Sequence, residues 1–183
     1  KLPSSGHIPL KYWHVLQRIS RGMHGRKGDS QMEIKRDIKA KLNNWDLRFL
    51  EMARLVATWS KDPRTKIGAV IVEEDTHIIR SVGYNGLPRG MEDDPEILKD
   101  RELKNMHTVH AELNAILNAA RVGIGVKGST IYISGLPPCS NCALAITQAG
   151  IARVVTDKGL DEVPEHWKRS VSFGLDTLCM TKV

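Results

Sequence analysis

His110-Ala111-Glu112 and, further on, Pro138-Cys139-Ser140-Asn141-Cys142 are the stretches that organise a reading of this chain. One imidazole and two thiols form a zinc ligand set that leaves one coordination position open to water, whereas a closed structural site takes four protein ligands. Cysteines at i and i+3 project from the same side of one helical turn, so both sulfurs can reach a single ion. Each stretch opens a segment of helical pattern. Leu113, Ile116, Leu117 and Ala120 mark one side of a helix over His110–Arg121, and a second helix over Cys139–Ala149 ends at Gly150. Two helix N-termini facing one ion favour the thiolate form that binds metal. Glu112, two residues beyond the histidine, is the candidate proton carrier between water, a ring nitrogen and departing ammonia. A structural zinc is the alternative, and His107 is the nearest candidate for its fourth ligand.

Outward from these helices the pattern alternates. Asn43 or Asn44 can cap a helix running to about Trp59, with Leu47, Phe49, Leu50, Ala53, Val56 and Ala57 on its apolar side. Strands are predicted at Ile67–Val72 and Ile78–Val82, around the acidic turn Glu73-Glu74-Asp75, and again at Ser129–Ser134 and Arg153–Thr156. A polar insertion from Asn85 to about His107 reads as turns. A helix is predicted over Glu165–Leu175 and an edge strand over Leu178–Val183. Strands and helices alternating from Ser129 onward imply parallel neighbours in a helix-flanked sheet, an α/β class.

At 183 residues with 41% apolar content, the chain fits one ordinary domain with an appendage. The net charge of +6 is concentrated at the start: residues 1–44 hold 10 Lys/Arg against 3 Asp/Glu, and the remainder holds 17 against 18. We therefore divide the chain into a basic N-terminal extension, 1–44, and a zinc-dependent catalytic domain, 45–183. Within the extension a short helix around Leu10–Ile19 and a charged helical segment from Gln31 to Lys41 are the candidates. The extension either docks on the domain or forms a disordered arm. Three cysteines in a chain this long argue against a disulfide scaffold and for a reducing compartment. Cys179 reads as an apolar filler. Without a membrane-length apolar run or a charged-then-apolar leader, the expected location is cytoplasmic.

Four stretches resemble the deoxycytidylate (dCMP) deaminases of the cytidine-deaminase-like superfamily. They are Ser60-Lys61-Asp62-Pro63 with Lys66–Val72; Gly83-Tyr84-Asn85-Gly86-Leu87-Pro88-Arg89-Gly90; His110-Ala111-Glu112-Leu113-Asn114-Ala115-Ile116; and Pro137-Pro138-Cys139-Ser140-Asn141-Cys142. The resemblance covers about residues 45–160 and implies a three-layer α/β/α cytidine-deaminase-like fold with a central mixed sheet. It further implies zinc-dependent hydrolytic deamination of dCMP to dUMP and ammonia, supplying thymidylate synthesis. His110, Cys139 and Cys142 would be the zinc ligands, Glu112 the catalytic residue, and Asn85, Ala111 and Pro138 substrate-binding residues.

Asn85 would meet the sugar hydroxyl, which suits a side chain with both donor and acceptor; a turn asparagine with positive φ beside Gly86 is the alternative. For the substrate phosphate, Ser60, Lys61, Arg64, Thr65 and Lys66 cluster before the first strand, each of them alone also readable as a solvated surface residue. The resemblance implies an allosteric nucleotide with Mg2+ near Gly83, Tyr84, Asn85, Gly86 and Arg89, and a homo-oligomer, commonly a hexamer. The insertion contains no cysteine, so a single zinc is expected. A dCTP-accepting deaminase of the same fold, a nucleic-acid editing deaminase and a catalytically silent zinc module are the competing functions. A near-neutral domain with 5% aromatic residues disfavours a nucleic-acid partner.

Overall fold

The computed structural model describes residues 14–16 and 42–183. Five strands form one mixed sheet: β1 (His14–Leu16), β2 (Gly68–Val72), β3 (Ile79–Tyr84), β4 (Thr130–Ser134) and β5 (Arg153–Thr156), in the order β1-β5-β4-β2-β3. Only β4 and β5 run parallel; the other neighbours are antiparallel. The helices are α1 (Asn44–Ala57), α2 (Pro95–Lys99), α3 (Arg101–His107), α4 (Ala111–Arg121), α5 (Ser140–Gln148) and α6 (Glu165–Met180).

Strand alternation sorts the core into two faces. Val70, Val72, Tyr132 and Val155 meet Phe49, Leu50, Ala53 and Val56 of α1 on one side. Ala69, Ile71, Ile131, Ile133 and Val154 meet Ala111, Ala115 and Ala119 of α4, Ala143 and Ile146 of α5 and Leu178 of α6 on the other. This is the expected three-layer α/β/α arrangement. β2 and β4 are buried throughout, as central strands covered on both faces are.

Two close fits hold the layers together. A Cβ on Gly83 of β3 would come within 2.3 Å of the Ala115 nitrogen and 2.4 Å of the Ala111 oxygen, so only glycine lets the start of α4 lie directly on the sheet. Ser81 Oγ donates to the Ala115 carbonyl, and the Asn114 and Asn118 amides donate to the Tyr84 and Val82 carbonyls, stitching α4 to β3. On the opposite face Asp46 accepts from Asn43 N to complete the α1 capping box. The same buried carboxylate takes two bonds from Arg153 of β5, at 2.7 and 2.9 Å, and one from Tyr132 Oη of β4 at 2.9 Å.

Three expectations change. Residues 14–16, read within a helix over Leu10–Ile19, instead form a strand along the β5 edge, where ladder hydrogen bonds outweigh a weak local pattern. The insertion holds two short helices, capped by Asp94 with Pro95 in the first turn and by Asp100. Leu178–Val183 is not an edge strand: α6 continues to Met180 because Val171, Gly174 and Leu178 keep a buried stripe at helical spacing. Cys179 accordingly sits exposed on α6 rather than in the core. The helical segment read over Gln31–Lys41 lies outside the described residues. Among the described residues no helix is long and apolar enough to cross a membrane.

Replacing Gly83 by Ala is expected to destabilise the fold by about 3 kcal/mol, because the contacted atoms are backbone and cannot turn aside; urea denaturation measures it. Burial by itself would raise the Asp46 carboxyl, but the Arg153, Asn43 and Tyr132 bonds together hold it below its ordinary value of 3.8. Its contribution to stability is therefore complete above pH 4 and lost as pH falls through the depressed folded value. Asp46→Asn is expected to cost about 3 kcal/mol at neutral pH. The stability gap to wild type should narrow as the pH of the denaturation series drops below about 4.

Candidate active site and metal centre

His110 is the N-cap of α4 and Cys139 the N-cap of α5, with Cys142 in the first turn of α5. Neither cap makes a side-chain capping bond, so both N-termini turn their positive ends toward the three ligand side chains. His110 Nδ1 lies 3.4 Å from Cys139 Sγ and 3.4 Å from Cys142 Sγ, and the three donor atoms lie within 4.8 Å of one another. A tetrahedral zinc with ordinary Zn–N and Zn–S bonds separates nitrogen from sulfur by about 3.5 Å, so the donor set fits the ion. Among the described residues no other group of histidine, cysteine and carboxylate side chains converges in this way, and His107 is exposed at the end of α3.

The two thiols are free, buried and hydrogen-bonded to each other. The bond from Cys142, reinforced by His110, pulls the Cys139 thiol down to about 4, which favours the thiolate there. The bond to that thiolate and burial push Cys142 up. The Cys139 bond likewise raises His110. Glu112 is 3% exposed, and desolvation raises its carboxyl above the usual carboxylate range. Its Oε2 is buried with no hydrogen-bond partner among the described residues. A buried, unspent carboxylate oxygen beside a metal-ligand triad is chemically suited to hold or move a proton.

His110, Glu112 and Cys139 border a cavity of about 550 Å3. Its walls come from the loop before β2, from Asn85 at the end of β3, from α3 and from the start of α6, where Trp167 meets the His110 ring edge-on at 5.9 Å. α6 is held close because a Cβ on Gly174 would lie 2.5 Å from the Pro138 carbonyl oxygen. Ser170 also bonds Ser140 at the start of α5. Asp157, after β5, accepts from Ser134 Oγ and Gly135 N, fixing the end of β4 that leads into Pro137-Pro138-Cys139.

Of the residues proposed to meet a phosphate, Arg64 and Thr65 border the cavity. The others make contacts elsewhere: Ser60 Oγ donates to the Asn85 carbonyl, Lys61 pairs with Asp93, and Lys66 Nζ donates to the Ser60 carbonyl. Asn85 lines the cavity, yet its Oδ1 accepts from Ile67 N and its Nδ2 donates to the Thr65 carbonyl, both at 2.8 Å. Its φ is not positive, which removes the turn-asparagine alternative. Ala111 is fully buried at the start of α4, and Pro138 lies under Gly174 beside Pro137, which does line the cavity.

In the loop from Gly83, Gly83 is spent on α4, the Gly86 backbone pairs with Val109, Arg89 Nη2 donates to Asn118, and Tyr84 is exposed. Sequence reasoning missed the ion pair of Asp62 with Lys104 of α3, at 2.7 Å, both side chains being buried. It also missed Arg101 and His166 as cavity residues. A polar insertion gave no sign of which face its charges would turn inward.

Comparison with known proteins agrees with this geometry. The chain is 39% identical over 135 residues to an uncharacterized deaminase in the luxG 3' region of Aliivibrio fischeri, covering 74% of this chain and 87% of that one. It is 41% identical over 118 residues to the deoxycytidylate deaminase of Homo sapiens, covering 61% of this chain and 63% of that protein. Among solved structures, the apo dCMP deaminase of cyanophage S-TIM5 superposes with a TM-score of 0.51 at 28% identity, over 60% of this chain and 79% of that one. The cytidine and deoxycytidylate deaminase zinc-binding region matches residues 43–158. With its ligand triad and buried glutamate lying inside that region, the chain belongs to the cytidine and deoxycytidylate deaminase family.

Proposed function

We propose that this protein hydrolyses dCMP to dUMP and ammonia. The single observation that carries the reading is the buried Glu112 carboxylate, with one oxygen unspent, beside the His110, Cys139 and Cys142 donors. The names of the deoxycytidylate deaminases it resembles support dCMP as the substrate.

A zinc ion with one open position, when bound, supplies water acidified toward neutral pH. The chain's own residues do the rest. Glu112 accepts one proton from the water and delivers it to the ring nitrogen next to C4, then takes the second proton from the hydroxyl formed at C4 and passes it to the departing amine. The water oxygen becomes the C4 carbonyl of dUMP, and ammonia leaves. Trp167, edge-on to His110, walls off bulk water beside the ligand triad. Asn85, fixed by Ile67 N, the Thr65 carbonyl and Asp62 Oδ2, supports recognition of the sugar through the remaining lone pair of its Oδ1.

The reading extends to a homo-oligomer in the cytoplasm. Exposed apolar side chains at Leu55, Trp59 and Tyr84, the last two meeting edge-on at 6.1 Å, support assembly, and the buried thiols of the metal site support a reducing compartment. Sedimentation velocity of the whole chain reads the assembly directly.

The zinc-loaded protein is expected to release ammonia from dCMP far faster than from dCTP or cytosine-containing oligonucleotides, with one zinc per chain by elemental analysis. Activity confined to oligonucleotides would overturn the proposal. Glu112→Gln is expected to retain zinc and fold while losing about 100- to 10,000-fold in kcat. Near-normal turnover in that variant would remove Glu112 from its role.

A further inference from the structure

The cations around the cavity are almost all engaged. Lys104 is 5% exposed, and its charge is cancelled by Asp62, whose Oδ1 also accepts from Arg64 N and Thr65 N. Arg64 Nη2 donates to the Lys99 carbonyl at 2.7 Å, Lys61 pairs with Asp93, and Lys66 reaches the Ser60 carbonyl. Three of these contacts tie the loop before β2 to the insertion that carries α2 and α3. The loop cations therefore serve in part to fasten the insertion against the cavity.

Arg101 differs. It stands three residues before Lys104 on α3, so the two share one side of the helix. It borders the same cavity and is exposed, which places it at the solvent rim. Among the described residues it makes no hydrogen bond or ion pair. The carboxylates bordering the cavity are Asp62, neutralised by Lys104, and Glu112, buried at the ligand triad. Neither offers the guanidinium an unpaired carboxylate at the solvent rim.

We infer that Arg101 is a specificity-determining residue that recognises the terminal phosphate of a free mononucleotide, with the Asp62–Lys104 pair holding α3 so that Arg101 faces the cavity. The inference rests on the dCMP reading and adds to it which group selects a phosphorylated substrate over a nucleoside. A planar guanidinium offers paired donors to phosphate oxygens. The burial of Lys104 and Asp62 fixes the helix that presents it, so the cation arrives oriented rather than on a loose loop.

Arg101→Gln and Arg101→Lys test this, since an exposed position tolerates both without loss of fold. Binding of the product dUMP and of deoxyuridine is measured by calorimetry on the zinc-loaded protein, alongside turnover of dCMP and deoxycytidine. In Arg101→Gln the preference for dUMP over deoxyuridine, and for dCMP over deoxycytidine in kcat/KM, is expected to fall about 10- to 100-fold. Arg101→Lys should recover part of it. An unchanged preference in Arg101→Gln, with wild-type turnover of dCMP intact, overturns the inference and leaves the dCMP reading standing. A wild-type protein that does not turn over dCMP removes both.

Discussion

The chemistry of this molecule depends on one constraint: the N-termini of α4 and α5 must stay close enough for an imidazole and two thiols to share a single point. Neither helix can secure that alone, because each contributes its ligands from its first turn or its cap, where a helix is weakest. Backbone contact supplies the rigidity. α4 lies on β3 through Gly83, and α6 lies on the Pro138–Cys139 segment through Gly174. The metal centre is thus clamped between the sheet and the last helix.

The same constraint explains the burial of the acid. Glu112 follows His110 by two residues, so once His110 is fixed as a cap, the glutamate is carried into the first turn of α4 at the cavity wall. Its desolvation is a result of that placement, and it keeps a carboxyl oxygen away from protein donors. Asp46 shows the opposite use of a buried carboxylate. There every lone pair is engaged by a cap, a guanidinium and a phenol, and the group fastens α1 to β4 and β5.

The ligand triad and the central layers were legible because their signals are local. Cysteines three apart on a helix start, alternating apolar runs in β2 and β4, and the cap at Asn43 can each be read within a few residues. What escaped is what depends on partners far along the chain. Residues 14–16 pair with β5, a choice made by a sheet edge rather than by their own pattern. Lys104 is buried only because Asp62 waits for it across the cavity wall. Ser60, Lys61 and Lys66 form a polar cluster in the sequence, but the fold turns them toward carbonyls and Asp93. Gly174 lies inside the helix predicted over Glu165–Leu175, but its close packing on the Pro138–Cys139 segment depends on a partner far back in the chain.

The clamp by α6 also bears on how the metal donors are sheltered. The far end of this helix is exposed at Met180, while Leu178 anchors it in the core. α6 carries none of the three donors, so it shields them by packing alone, through the contact of Gly174 with the Pro138–Cys139 segment. The buried stripe of Val171, Gly174 and Leu178 thus protects the chemistry of a site to which it contributes no donor.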